Sequence, residues 1–157
     1  MEQFKSLSDL RDAIKEIEGW IARPTTHLSH PTLYRKRDVD ESEILLKGVR
    51  KKDWFFSDDE KWVLPHDQMG LSFSSSWQHL KGVFKLKEKN NSGKKVNVYW
   101  VLEKADIPSD LEFVIDRKKK GHFFLTVTKR MTLSQLVIKL KLVAKRMSVI
   151  ENVGSIL

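Results

Sequence analysis

Three short stretches of this sequence carry side chains of the kind that do chemistry. The first is Leu33-Tyr34-Arg35, read as a strand ending in arginine. A guanidinium fixed on a strand can grip a phosphate or a ribose, because its planar fork gives directed, charge-assisted hydrogen bonds. A surface arginine beside a core tyrosine is the plainer alternative. The second is Gly70-Leu71-Ser72-Phe73-Ser74-Ser75-Ser76-Trp77. A glycine leading into a strand lets backbone approach a ligand, and a period of two puts Ser72 and Ser74 on one face with Phe73 opposite. Such hydroxyls can bond a ribose or an amide while Phe73 or Trp77 stacks on a planar ring. A polar strand edge followed by a serine-capped helix start would explain the same residues. The third is His122, directly after Gly121 at the start of a strand. An imidazole there can act as a general base or hydrogen-bond a substrate, or it can sit at a loop edge without a task.

Other chemistries lack their residues. The absence of cysteine excludes a disulfide framework, a thiolate zinc site and a cysteine nucleophile. The five histidines, His27, His30, His66, His79 and His122, never form an H-x3-H pair on a helix, so no local metal site is expected. Asp58-Asp59-Glu60 reads as a solvated loop cluster, and no G-x-S-x-G elbow, P-loop or G-x-G-x-x-G is present. Lys and Arg number 29 against 21 Asp and Glu, a formal charge of +8. This favours anionic partners: nucleic acid, a phosphorylated cofactor or an acidic protein. The cations gather at Arg117 to Lys120, at Lys85, Lys87, Lys94 and Lys95, and at Lys139, Lys141, Lys145 and Arg146. With Trp100, Phe123 and Phe124 among them they could form a nucleic-acid surface, or the RKKKG run could be a solvated hairpin tip.

The elements that must position these residues follow from periodicity. Leu7, Leu10, Ile14, Ile17 and Ile21 recur at steps of three and four, which predicts an amphipathic helix over 8–21, capped by Ser8 and ended by Pro24. Residues 22–31 read as a loop into a short strand at 32–35. A second helical stretch is expected at 40–48, then an irregular region over 50–70. Strands are expected at 71–75, 83–87, 96–102, 111–115 and 122–128, with a turn or short helix at 76–80 and hairpin turns at 90–93 and 117–121. Thr132 with Gln135 fits a capping box, and the apolar stripe from Leu133 to Met147 predicts a closing helix over 132–147. With no repeat, linker or long apolar run, residues 1–157 read as a single α+β domain: a helix near each end and a mixed core over 32–128. Neither a signal peptide nor a transmembrane segment is evident, so a cytosolic place of synthesis and no membrane partner are expected.

The order Leu33-Tyr34-Arg35, then Gly70-Leu71-Ser72-Phe73-Ser74, then a run of strands resembles the plan of ADP-ribosyltransferase-fold proteins. The C-terminal half, with Asp106-Ile107-Pro108-Ser109-Asp110-Leu111, Asp116, His122-Phe123-Phe124 and Met131 before an amphipathic helix, resembles the small toxins of this fold delivered by type VI secretion. The resemblance covers roughly residues 32–147.

It implies a strand-rich ADP-ribosyltransferase-like core between the two amphipathic helices, with NAD as cofactor. Arg35 would hold the NAD phosphates or ribose. Ser72, with Ser74 assisting, would bond the nicotinamide ribose or carboxamide, and Tyr34, Phe73 and Trp77 would complete the cofactor site. His122 would stand near the third member of the catalytic set, Arg35, Ser72 and His122. Transferases of that fold also carry a late glutamate that stabilises the ribosyl cation. This sequence offers Glu103 and Glu112 and then no glutamate before Glu151. The implied protein is an antibacterial or toxin–antitoxin-type toxin, made in the producer's cytoplasm and delivered into the target-cell cytosol. There it would transfer ADP-ribose to a cytosolic target or hydrolyse NAD, and a cognate neutralising protein would cover the cleft. The alternatives are a nucleic-acid-binding module using the 117–120 turn and the last helix, and a ribonuclease toxin with His122 as base.

Overall fold

A computed structural model of the chain describes residues 2–25, 31–34, 45, 46, 48–90 and 98–152. The chain opens with strand β1 (Glu2–Phe4), helix α1 (Leu7–Lys15) and strand β2 (Trp20–Thr25). A short hairpin of β3 (Leu45–Leu46) and β4 (Val49–Arg50) precedes β5 (Phe55–Phe56) and β6 (Trp62–Leu64). Then come β7 (Leu71–Ser74), α2 (Trp77–Asn90), β8 (Val98–Glu103), β9 (Leu111–Ile115) and β10 (His122–Val127). The chain closes with β11 (Met131–Thr132), α3 (Leu133–Arg146) and β12 (Ser148–Asn152). Seven strands form the main sheet, in the order β1-β12-β8-β2-β7-β10-β9, antiparallel except for the β1–β12 pair. The architecture is α+β.

The sheet is buried on both faces, and alternation along its strands sorts side chains between two cores. On β2 and β8, Ile21, Trp100 and Leu102 join Leu71, Phe73 and Leu125 beneath the apolar stripe of α3, Leu133, Leu136, Leu140 and Val143. Their neighbours Ala22, Tyr99 and Val101 face the other way, against Leu10 and Ile14 of α1 and Leu80 and Phe84 of α2. α3 begins as expected: the Thr132 side chain accepts from Gln135 N–H, and the Gln135 side chain accepts from Thr132 N–H. Its side chains anchor a neighbouring turn as well, since Lys139 Nζ donates to Ser109 O at 2.8 Å. Among the described residues no helix is long and apolar enough to cross a membrane.

Several expected elements are corrected. The first helix stops at Lys15 rather than continuing to 21, its N-cap is Ser6 rather than Ser8, and Ile21 belongs to β2. The break falls at Gly19, with φ at +59°, where the chain reverses. Pro24 does not terminate a helix; it lies within β2, paired with Tyr99 on the β8 side. Residues 83–87 are helical, because Trp77, Leu80 and Phe84 set a helical period that overrides the short Val-Phe-Lys-Leu-Lys alternation. Residues 32–34 form bends rather than a strand. Of the expected 40–48 helix, residues 45, 46 and 48 are described and belong to the β3–β4 hairpin. The 50–70 region supplies β5 and β6, which pair with each other while β6 pairs with β11 on its other side. Arg35, Lys94, Lys95 and most of the turn at 90–93 lie outside the described residues.

Candidate active site

β7 places the serines. Ser74 stands directly opposite His122 of β10 in the antiparallel register. Past β7 the chain turns into α2, and Ser76 Oγ accepts the His79 N–H at 3.2 Å, the arrangement of a helix N-cap. That cap fixes His79 in the first turn of α2, where its Nδ1 lies 2.6 Å from Ser74 Oγ. The β9–β10 turn is pressed against the same spot. Ser75 N–H donates to Gly121 O at 2.8 Å, and a Cβ on Gly121 would stand 2.2 Å from Ser76 Oγ and 3.2 Å from His79 Cβ. Gly121 also has φ at +80°, a backbone that favours glycine, and a Cβ there would have to turn the Ser76 side chain aside. This close approach brings the His79 and His122 rings to 5.1 Å between centroids, tilted by 38°.

Asp116, just after β9, completes the set. Its Oδ2 is 2.8 Å from His122 Nδ1, and the two side chains are only 8% and 9% exposed. Burial opposes ionisation of Asp116, but hydrogen bonds from the Lys118 N–H and from His122 outweigh it and hold the carboxyl below its ordinary 3.8. A carboxylate only accepts hydrogen bonds, so Nδ1 of His122 must carry the proton, which leaves Nε2 as a lone pair in the neutral ring. The pKa of His79 is lowered from 6.5, first by burial and then by the charges of His122 and Lys119. The site therefore pairs an imidazole held beside a carboxylate with a second one kept neutral.

Ser72, Ser74, His79 and His122 line a cavity of about 270 Å³, together with Arg23, Arg50, Lys87 and Lys119. Four cations around a small cavity suit an anionic ligand. Among the described residues Asp53 is the carboxylate lining it, 3.6 Å from Arg50. The cavity lies where β2 leaves β7, since those strands pair at Ala22 and Ser74 alone. Across the opening, Arg23 Nη1 donates to Ser72 O at 2.6 Å and Nη2 to Thr32 O at 3.3 Å, and the guanidinium lies 5.4 Å from the Phe73 ring centroid. One arginine thus bridges the serine strand to the segment carrying Leu33 and Tyr34.

Ser72, Ser74 and His122 are therefore brought together at one cavity. Arg35 lies outside the described residues. Tyr34 is half-buried against the main core, and the Phe73 ring is 1% exposed, edge-on to Phe113, which makes it a core side chain rather than a stacking platform. Trp77 packs on the α1–α2 side and does not line the cavity. Gly70 admits another strand rather than a ligand: a Cβ there would meet Leu125 O at 2.2 Å. Glu103 and Glu112 are exposed and away from the cavity.

Arg23, Arg50 and His79 were not expected at the site. The Ser76-x-x-His79 spacing was the available signal for His79, because a serine cap puts the third following residue in the first helical turn; nothing local marks Arg23, which lies in a stretch read as loop. Among the described residues, no three His, Asp or Glu side chains come together as a metal site. Comparison of the chain with protein-family models, curated proteins and solved structures finds no match.

Proposed function

We propose that the protein is a bacterial toxin with an ADP-ribosyltransferase-like core that binds NAD in this cavity and acts in the cytosol of a target cell. The observation that carries the reading is Arg23, which joins the Thr32 and Ser72 carbonyls on the wall of a cavity that Ser72, Ser74 and His122 line as well. A guanidinium and a hydroxyl-bearing strand flanking one cationic cavity suit a ribose and its phosphates. In this reading Ser72 and Ser74 face the nicotinamide ribose, the cations and Arg35 hold the phosphates, and the outcome is ADP-ribosyl transfer or NAD hydrolysis. Delivery by type VI secretion and neutralisation by a cognate protein seated over the cavity belong to the same proposal.

Titration calorimetry of the purified protein with NAD tests it: binding is expected, weakened in Arg23→Ala and Ser72→Ala, and an absence of binding by the wild type would remove the cofactor. Expression in bacteria without a neutralising partner should arrest growth, and Ser72→Ala should relieve the arrest.

A second reading has its own observation. Two imidazoles in contact amid four cations also suit RNA cleavage, in which one ring takes the proton of a 2′-hydroxyl and the other protonates the leaving oxygen. That reading expects NAD-independent cleavage of RNA, lost in both His79→Ala and His122→Ala. A plain nucleic-acid-binding module expects instead an affinity that falls steeply with salt and drops on neutralising Lys118, Lys119 and Lys120.

A further inference from the structure

We infer that His122 is the general base of the reaction, that Asp116 is its positioning residue, and that the group receiving ADP-ribose is a neutral hydroxyl. The inference rests on the NAD reading above. Its ground is the buried Asp116–His122 pair at 2.8 Å, which fixes the proton on Nδ1 and leaves Nε2 as the proton acceptor of a ring that lines the cavity. Among the described residues the exposed Glu103 and Glu112 stand elsewhere and Asp53 faces Arg50, which leaves an imidazole as the base on the cavity wall.

The charge of the cavity selects the acceptor. Among the described residues four cations, Arg23, Arg50, Lys87 and Lys119, line the cavity against one carboxylate, Asp53. This excess of positive charge disfavours a guanidinium or ammonium acceptor while tolerating a hydroxyl, on water or on the ribose of an RNA, whose phosphates it attracts. An imidazole is a fitting base for a hydroxyl, which must lose its proton as it bonds to carbon. The step balances. The bond between the ribose C1′ and the nicotinamide nitrogen breaks, and its electron pair neutralises the pyridinium. The acceptor oxygen bonds C1′ and its proton passes to His122 Nε2, leaving an imidazolium beside the Asp116 carboxylate. The proton is then lost to solvent.

The experiment measures nicotinamide release from NAD by the whole protein, with products identified by mass spectrometry. It is run in buffer alone, with an oligoribonucleotide, with its deoxy counterpart and with an arginine-rich peptide. Free ADP-ribose in buffer identifies water as the acceptor, and a modified oligoribonucleotide with an unmodified deoxy counterpart identifies the ribose hydroxyl. Either result supports the inference, and modification of the peptide overturns it. His122→Asn should lower kcat about 10²-fold or more. Asp116→Asn should lower kcat by a comparable factor while KM for NAD stays within about twofold, a split that loss of the fold would not give. Calorimetry with NAD accompanies each variant. If both variants bind NAD and release nicotinamide at the wild-type rate, the inference fails and the NAD reading stands. If the wild type does not bind NAD, that reading fails and the inference falls with it.

Discussion

On one flank of the cavity, β7 pairs with β10 over four positions and β10 with β9 over five, while on the other flank β2 meets β7 at a single pair. The groups on the first flank are tied repeatedly: Asp116 accepts from Lys118 N–H and contacts His122, Gln68 accepts from Arg117 N–H and donates to Ile115 O, and Gly121 is locked under Ser76. The second flank is spanned by the long side chain of Arg23. Proton-transfer groups must be held within fractions of an ångström, whereas a surface that admits a ligand gains from a looser join. The contrast separates a tightly laddered side, which in the proposed function holds the proton-transfer groups, from a loosely joined side that would admit the ligand.

The sharpest way to break that contrast is Gly70→Ala, which drives a Cβ to 2.2 Å from Leu125 O and 2.8 Å from its carbon. Neither backbone atom can rotate away, so denaturant titration should show a loss of about 3–4 kcal/mol, or no folded protein. Arg23→Ala removes charged donors from two carbonyls and should cost about 1.5–3 kcal/mol. Amide exchange should then rise along β2 near the cavity while β9 and β10 keep their protection; equal loosening of both flanks would refute the division. Gly121→Ala meets a serine side chain that can turn, so with the positive φ it should cost about 1–3 kcal/mol and cut activity more than stability, by displacing His79 from His122.

Acid should act in two windows. The folded state lowers the pKa of His79 below 6.5, so its contribution is present above that pH and is lost as pH falls through the folded value. Asp116 is likewise lowered, so its contribution is present above 3.8 and is lost below it. Thermal melts should show His79→Gln flattening the upper window and Asp116→Asn the lower one. The smallest effect is expected at the exposed Arg117–Asp67 pair, 2.9 Å apart and 67% exposed on both sides, where Asp67→Ala should change stability by no more than about 1 kcal/mol.

The fixed flank was the more legible in the sequence. β9, β10, the turn between them and α3 announce themselves through alternation, a glycine and a capping box, all signals spanning a few residues. The binding flank depends on pairings between distant segments. Ile21 continues the helical spacing of Leu10 and Ile14, and only the contact with β8 shows that it is a strand residue. Pro24 looks like a terminator, yet it is tolerated because β2 has by then left β7 and needs no donor on that side. Of the proposed chemistry, Ser72, Ser74 and His122 could be named from local pattern. Arg23 and Asp116 acquire meaning only from what lies across the sheet, and β1 and β12, from opposite ends of the chain, pair without any local sign.

The lone Ala22–Ser74 join has a mechanical consequence. Past that point, among the described residues, a wedge driven between the two strands would meet the grip of the Arg23 guanidinium rather than a ladder. A molecule larger than the resting void could thus enter by prying the rim apart, and in the proposed function a blocking protein would act by clamping that same crevice shut.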